Sequence, residues 1–111
     1  MPERDELEFD VVIVGAAPAG LSAAYRLQQL ARTSGKTVSI AVLEKGKEAG
    51  AHILSGAVMD PRGISELIPD WRQRGAPVEH VVSDDSVLFL TEQQQFRLPF
   101  TPSALHNHGN Y

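Results

Sequence analysis

The twelve residues Phe9-Asp10-Val11-Val12-Ile13-Val14-Gly15-Ala16-Ala17-Pro18-Ala19-Gly20 carry an apolar run into a glycine turn and on into a helix of small residues. A second apolar run, Val38 to Glu44, follows one helix later. Two such runs joined by a helix read as parallel strands with a right-handed crossover, because a parallel pair needs a connection that returns the chain to its starting end. The first run, Phe9 to Val14, is nearly continuous in β-branched residues, which predicts a strand buried on both faces. The fold class expected is therefore α/β, built on a Rossmann-like βαβ unit.

Each position of this turn answers a demand of an adenine dinucleotide. Gly15 supplies the tight strand-to-helix turn, and Gly20 lets the helix lie against the strand. Ala16, Ala17, Pro18 and Ala19 form the opening, where unpaired backbone N–H groups and the positive end of the helix face a pyrophosphate. Glu44, 24 positions beyond Gly20, stands where a carboxylate accepts the ribose hydroxyls, with Lys45 beside it. A carboxylate there repels a 2′-phosphate, which makes NADP the least suitable dinucleotide. Ala17 departs from the motif, since the middle position is normally glycine. If it needed a positive φ, alanine would add about 1 to 3 kcal/mol of strain. If its φ is negative, a small shift absorbs the methyl.

Along the chain, a helix is expected from Pro18 to Thr33 with an inner stripe of Gly20, Ala23 or Ala24, Leu27, and Leu30 or Ala31, and with Arg26, Gln28, Gln29 and Arg32 in water. Gly35 ends it. Gly50, Gly56 and Gly63 mark an irregular loop of the kind that lies over a ligand. Asp60 and Pro61 offer an N-cap and a first helical position for a short helix, Pro61 to Ile68, closed by Pro69 and covered by Trp71. Ser86 to Thr91 and Phe96 to Leu98 read as a hairpin joined by Glu92 to Gln95. Asn107 and Asn110 flank Gly109 as in a tight turn.

Composition narrows the function classes. The chain has 111 residues and a net charge of −4, with its basic residues scattered, which argues against a nucleic-acid surface. It has no cysteine, so neither disulfides nor thiolate ligands can come from this stretch. The longest uncharged run, Val11 to Tyr25, is 15 residues and is broken by glycine and proline, too short to span a membrane. The acidic start, Met1-Pro2-Glu3-Arg4-Asp5-Glu6, resembles neither a secretory signal nor a transit peptide, and reads as a bacterial cytoplasmic start. The βαβ motif belongs to a sheet that needs further strands, so the chain is expected to be a fragment. His52, His80, His106 and His108 do not converge as metal ligands do, and no metal site is expected. Asp84 and Asp85 read as a solvated turn. No general acid, base or nucleophile is expected either, because in a cofactor enzyme the cofactor carries the chemistry.

The segments Gly50-Ala51-His52-Ile53-Leu54-Ser55-Gly56-Ala57-Val58-Met59-Asp60-Pro61, Glu66-Leu67-Ile68-Pro69-Asp70-Trp71 and Asn107-His108-Gly109-Asn110-Tyr111 carry a more specific signal. Through them the chain, from about Phe9 to Tyr111, resembles the N-terminal portion of the electron transfer flavoprotein–ubiquinone oxidoreductase family. The resemblance implies a glutathione-reductase-type flavoprotein fold, incomplete here, with residues 1–8 a tail and 9–111 the first part of an FAD-binding domain. It implies FAD held by Gly15, Ala16, Ala17, Pro18, Ala19, Gly20, Glu44 and Lys45, with Ala51, His52, Leu54, Ser55 and Gly56 near the flavin side. A 4Fe-4S cluster would lie in the missing C-terminal part. Electron transfer flavoprotein and ubiquinone are the implied partners, at the cytoplasmic face of a bacterial cytoplasmic membrane met monotopically, without spanning. The segment from about Ala49 to Asp70, with Ile53, Leu54, Val58, Met59, Ile64, Leu67 and Ile68, is a candidate for that contact. His106, where the resemblance implies a small polar amide, is a second departure. The motif also tolerates an isoprenoid-chain reductase of the same fold, or a non-catalytic nucleotide-binding remnant.

Overall fold

The computed structural model describes residues 4–54 and 56–111. The chain divides into two compact units, Met1–Ser55 and Gly56–Tyr111.

The first unit is the βαβ motif. β1 (Val11–Val14) pairs in parallel with β2 (Ile40–Leu43), Val11 opposite Ile40 and Val14 opposite Leu43. Both strands are shorter than the apolar runs that announce them. The ladder is continued by one bond, from Val11 N–H to the Ser39 carbonyl (3.1 Å). Beyond it Asp10 bonds through its side chain: one carboxylate oxygen accepts both the Ser39 N–H and the Ser39 hydroxyl at 2.7 Å, and the hydroxyl accepts the Asp10 N–H at 3.0 Å. These bonds hold the Asp10 carboxyl below its ordinary range, the Ser39 amide contributing most.

The connection is α1 (Pro18–Thr33), with Ala17 at its N-cap and Pro18 in the first turn. Its C-terminus closes through Gly35 at φ +65°, with Gly35 N–H donating to Arg32 O (3.3 Å) and Lys36 N–H to Ala31 O (2.9 Å). This crossed pair caps the last turn and needs a residue that adopts the left-handed region without strain. The inward stripe resolves to Gly20, Ala24, Leu27 and Ala31, while Ala23 and Leu30 face out. Gln29, expected in water, is half-buried.

The expectation that β1 is buried on both faces is corrected. Val11 and Ile13 are half-buried on the helix side, whereas Val12 is 53% and Val14 84% exposed. α1 covers one face of the two-stranded sheet, and among the described residues of this unit nothing covers the other at β1, whose side chains alternate between shelter and water.

The second unit holds α2 (Arg62–Leu67) and an antiparallel hairpin of β3 (Leu88–Leu90) and β4 (Gln95–Arg97), joined through Thr91 to Gln94. Asp60 is not the N-cap expected of it: Pro61 holds that position without a side-chain cap bond, and Asp60, one residue ahead, accepts the Arg62 N–H at 3.0 Å and the Arg62 side-chain Nε–H on its Oδ1. Helical geometry itself begins one residue later than Pro61 and ends at Leu67. Trp71 is buried and donates its indole N–H to Ser65 Oγ at 2.9 Å. Tyr111 meets it edge-on with ring centroids 5.4 Å apart, and the Arg72 guanidinium lies over both rings at 4.8 and 5.2 Å.

Tyr111 and Met59 exchange backbone hydrogen bonds (2.6 and 2.9 Å), as do Val82 and the Gly109-Asn110 pair (2.7 and 3.0 Å). The Asn107–Asn110 turn forms as expected, with Asn110 N–H on Asn107 O and Gly109 at φ +86°. Asp85 is not a solvated turn residue. Its carboxylate accepts the backbone N–H (2.8 Å) and the side-chain amide (3.3 Å) of Asn107, and only Asp84, paired with Arg97 at 3.3 Å, faces out. The two histidines of the His106-x-His108 pair have separate attachments, Nε2–H of His106 on Thr101 O and Nδ1–H of His108 on Ser83 O.

Candidate functional site

The site forms at the end of β1, where the chain turns into α1. Gly15 has φ +106° and donates its N–H to Leu43 O at 2.7 Å, so the turn is pinned to the last residue of β2. Gly20 packs one helical turn onward against this loop. A Cβ on Gly20 would fall 1.9 Å from the Gly15 carbonyl oxygen and 3.2 Å from Ile13 Cγ2. The approach of helix to turn is thus closed to any side chain. Ala17 sits at φ −88° and ψ 177°, ordinary extended backbone, and accepts the Leu21 N–H through its carbonyl at 3.0 Å. The strain considered for a positive φ does not arise.

Glu44 follows β2 directly, and its carboxylate reaches back to the turn. Oε2 accepts the Ala16 N–H at 2.9 Å, and Oε1 accepts the Gly46 N–H at 2.8 Å. These two amides, Gly46 foremost and then Ala16, hold the carboxyl below its ordinary range, with a smaller pull from His52. His52 Nδ1 lies 3.8 Å from Oε1. The Glu44 side chain remains one-fifth exposed, so an ionised, pre-oriented acceptor stands beside the amide-lined opening of α1.

Of the residues predicted for this site, Gly15, Ala16, Ala17, Pro18, Ala19, Gly20 and Glu44 form one contiguous turn and its carboxylate. Ala51 and His52 fold back beside Gly46. Lys45 is exposed, and Leu54 is 89% exposed and turned to water. Ser55 lies outside the described residues, and Gly56 is placed in the second unit with φ +76°. Gly46 was missed by sequence reasoning, because only the crowding at its α-carbon sets it apart.

Of the apolar residues proposed for a membrane contact, Ile53, Leu54 and Val58 are exposed, while Met59, Ile64, Leu67 and Ile68 are half-buried in the second unit. Among the described residues no helix is long and apolar enough to cross a membrane, and no cluster of three histidine or acidic side chains could hold a metal ion.

Because Ala17 carries no strain, Ala17→Gly should change dinucleotide affinity less than about threefold. It should lower the melting temperature slightly, since the added backbone freedom costs about 0.4 to 1 kcal/mol. Isothermal titration of the apoprotein, paired with thermal unfolding, checks both.

Residues 13–83 match the model of the NAD(P)-binding Rossmann-like domain family. Over all 111 residues the chain is 57% identical to the mitochondrial electron transfer flavoprotein-ubiquinone oxidoreductase of Dictyostelium discoideum, covering 100% of this chain and 18% of that protein. It is 53% identical to the electron transfer flavoprotein-ubiquinone oxidoreductase of Pseudomonas aeruginosa, over 98% of this chain and 20% of that one. The mitochondrial protein of that name from Mus musculus is 50% identical over 98% of this chain and 18% of its own length. The chain therefore spans about a fifth of the length of the curated relatives it matches.

Proposed function

The chain belongs to the NAD(P)-binding Rossmann-like domain family, and from that premise we propose that it is the FAD-binding first part of an oxidoreductase that passes electrons from reduced electron transfer flavoprotein to ubiquinone. The observation that carries the reading is the Glu44 carboxylate, fixed by the Ala16 and Gly46 amides at the opening of α1. The relatives' shared name favours this reaction over an isoprenoid-chain reductase or a non-catalytic remnant.

The residues present fit an adenine dinucleotide. The turn leaves Gly20 no room for a side chain, so helix and turn approach closely, and the carboxylate bonded to the Ala16 amide at the helix opening is an acceptor suited to hydroxyls. In this reading Gly15, Ala16, Ala17, Pro18, Ala19 and Gly20 receive the pyrophosphate and Glu44 accepts from the ribose. Lys45, Ala51, His52, Leu54, Ser55 and Gly56 belong to the cofactor's surroundings. When bound, FAD supplies the redox chemistry at its ring system. Gly15 to Gly20 and Glu44 hold the adenosine half, Ala51 to Gly56 lie toward the flavin side, and no general acid, base or nucleophile is assigned among the described residues.

The proposal extends to the parent protein: a glutathione-reductase-type fold, with residues 1–8 a leading tail and 9–111 the start of its FAD domain, and a 4Fe-4S cluster carried by the remainder. It further places the parent peripherally on the cytoplasmic face of a bacterial membrane. Purified full-length protein should show flavin absorbance, release FAD on denaturation, and pass electrons from reduced electron transfer flavoprotein to a ubiquinone analogue. Colourless protein that takes up no added FAD would refute the cofactor assignment. Flavin-loaded protein that cannot reduce the quinone analogue would refute the reaction alone.

A further inference from the structure

The two oxygens of Glu44 are each held by a different backbone amide, and the two holders differ in origin. The Ala16 amide belongs to the glycine turn. The Gly46 amide belongs to a fold of residues 46–53 that closes on itself: Ala51 N–H reaches Glu48 O (3.3 Å) and Ile53 N–H reaches Gly50 O (3.0 Å). That fold is tight around the Gly46 α-carbon. A Cβ there would lie 2.9 Å from Ala51 Cβ, 3.1 Å from His52 Cε1 and 3.2 Å from Glu44 Oε1 itself. Gly46 is not among the glycines with positive φ, so crowding, not backbone conformation, reserves the position for glycine.

We propose that Gly46 is a positioning residue for the dinucleotide site: its amide, and the side-chain-free space at its α-carbon, fix the Glu44 carboxylate in the orientation that presents it to the ribose. The proposal rests on the reading of Glu44 as the ribose ligand. A side chain at position 46 displaces Oε1 directly and forces Ala51 and His52 outward, so the carboxylate loses one of its two fixed donors. Its remaining bond to Ala16 leaves it free to turn about that contact. Affinity for the adenosine half then falls although no atom that touches the cofactor has been removed.

The test uses full-length apoprotein titrated with FAD, comparing Gly46→Ala, Glu44→Gln, the double variant of the two, and Gly46→Ala combined with Ala51→Gly. Gly46→Ala should weaken FAD binding about tenfold, the scale of one hydrogen bond to a charged group. In the Glu44→Gln background the same change should cost less than about twofold, because residues that act through one group are not additive. Ala51→Gly, which removes the nearest collision, should restore part of the lost affinity. Hydrogen exchange over residues 45–52 gives a reading that needs no folded position-46 variant: Glu44→Ala, which removes both acceptor oxygens, should speed exchange of the Gly46 amide.

Unchanged affinity in Gly46→Ala, a loss that adds fully to that of Glu44→Gln, absence of rescue by Ala51→Gly, or unchanged exchange at Gly46 would each overturn the inference. None of these outcomes touches the reading of Glu44 as the ribose ligand, which fails if Glu44→Gln itself binds FAD as well as wild type.

Discussion

Gly20→Ala should leave the full-length protein unable to retain FAD. In an isolated helix this substitution favours folding by about 1 kcal/mol, because alanine is the better helix former. Here the added methyl falls 1.9 Å from the Gly15 carbonyl oxygen, far inside contact distance, and the obstacle is backbone. Gly15 cannot yield easily. Its N–H is committed to Leu43 O at 2.7 Å, and its φ of +106° already lies in a region few other residues adopt. Either α1 tilts away from the sheet or the turn opens, and both move the amides that would face the pyrophosphate. Overpacking of this kind costs about 1 to 3 kcal/mol and occasionally more. The net sign is therefore opposite to helix propensity. Thermal unfolding of the apoprotein and titration with FAD report the two parts, and a variant that purifies yellow with unchanged affinity would contradict the packing described for Gly20.

Glu44→Gln is expected to weaken FAD binding by about ten- to a hundredfold, the range for losing hydrogen bonds to a charged acceptor. The carboxylate accepts from an amide on each oxygen. Glutamine offers one oxygen and one NH2 group, so either Ala16 or Gly46 is left with donor facing donor. The pH dependence has a definite sign. The folded pKa of Glu44 is lowered from 4.5 by the Gly46 and Ala16 amides, so its contribution is fully present above that ordinary value and is lost as pH falls through the lowered one. Wild-type affinity should hold from neutral pH down to about 4.5 and decline only below it. The glutamine variant should lack that acid limb. An identical decline in both proteins would show that another group titrates there.

Sequence made the βαβ unit legible because its punctuation is chemical. Pro18 and Gly35 mark α1 at both ends, and the observed helix has the expected bounds. Strand limits were harder to read. Apolar character continues through Phe9 and Val38, but the ladder stops where Asp10 turns its carboxylate on Ser39, a side-chain event 29 residues apart in sequence. The hairpin strands Leu88–Leu90 and Gln95–Arg97 are short for a similar reason, Thr91 and Gln94 closing the turn between them. Glu44 was recognisable from its spacing, but Gly46 was not, since a glycine between two lysines looks like any polar turn until neighbours crowd its α-carbon. Asp85 was misread because its partner, Asn107, lies 22 residues away, and adjacent aspartates in a polar stretch carry no local sign of a tether.

The parallel pair of the first unit is bolted at both ends by carboxylates, Asp10 below and Glu44 above. Sliding one strand past the other by a single step would carry each acid out of reach of its partners and turn Ile13 from the helix to the open side. So short a ladder has little of its own to resist such a slip. Beside the Gly15 amide on Leu43 O and the apolar face against α1, its alignment rests on these two charges, and strong acid, by discharging both, would loosen the frame and the cofactor's footing together.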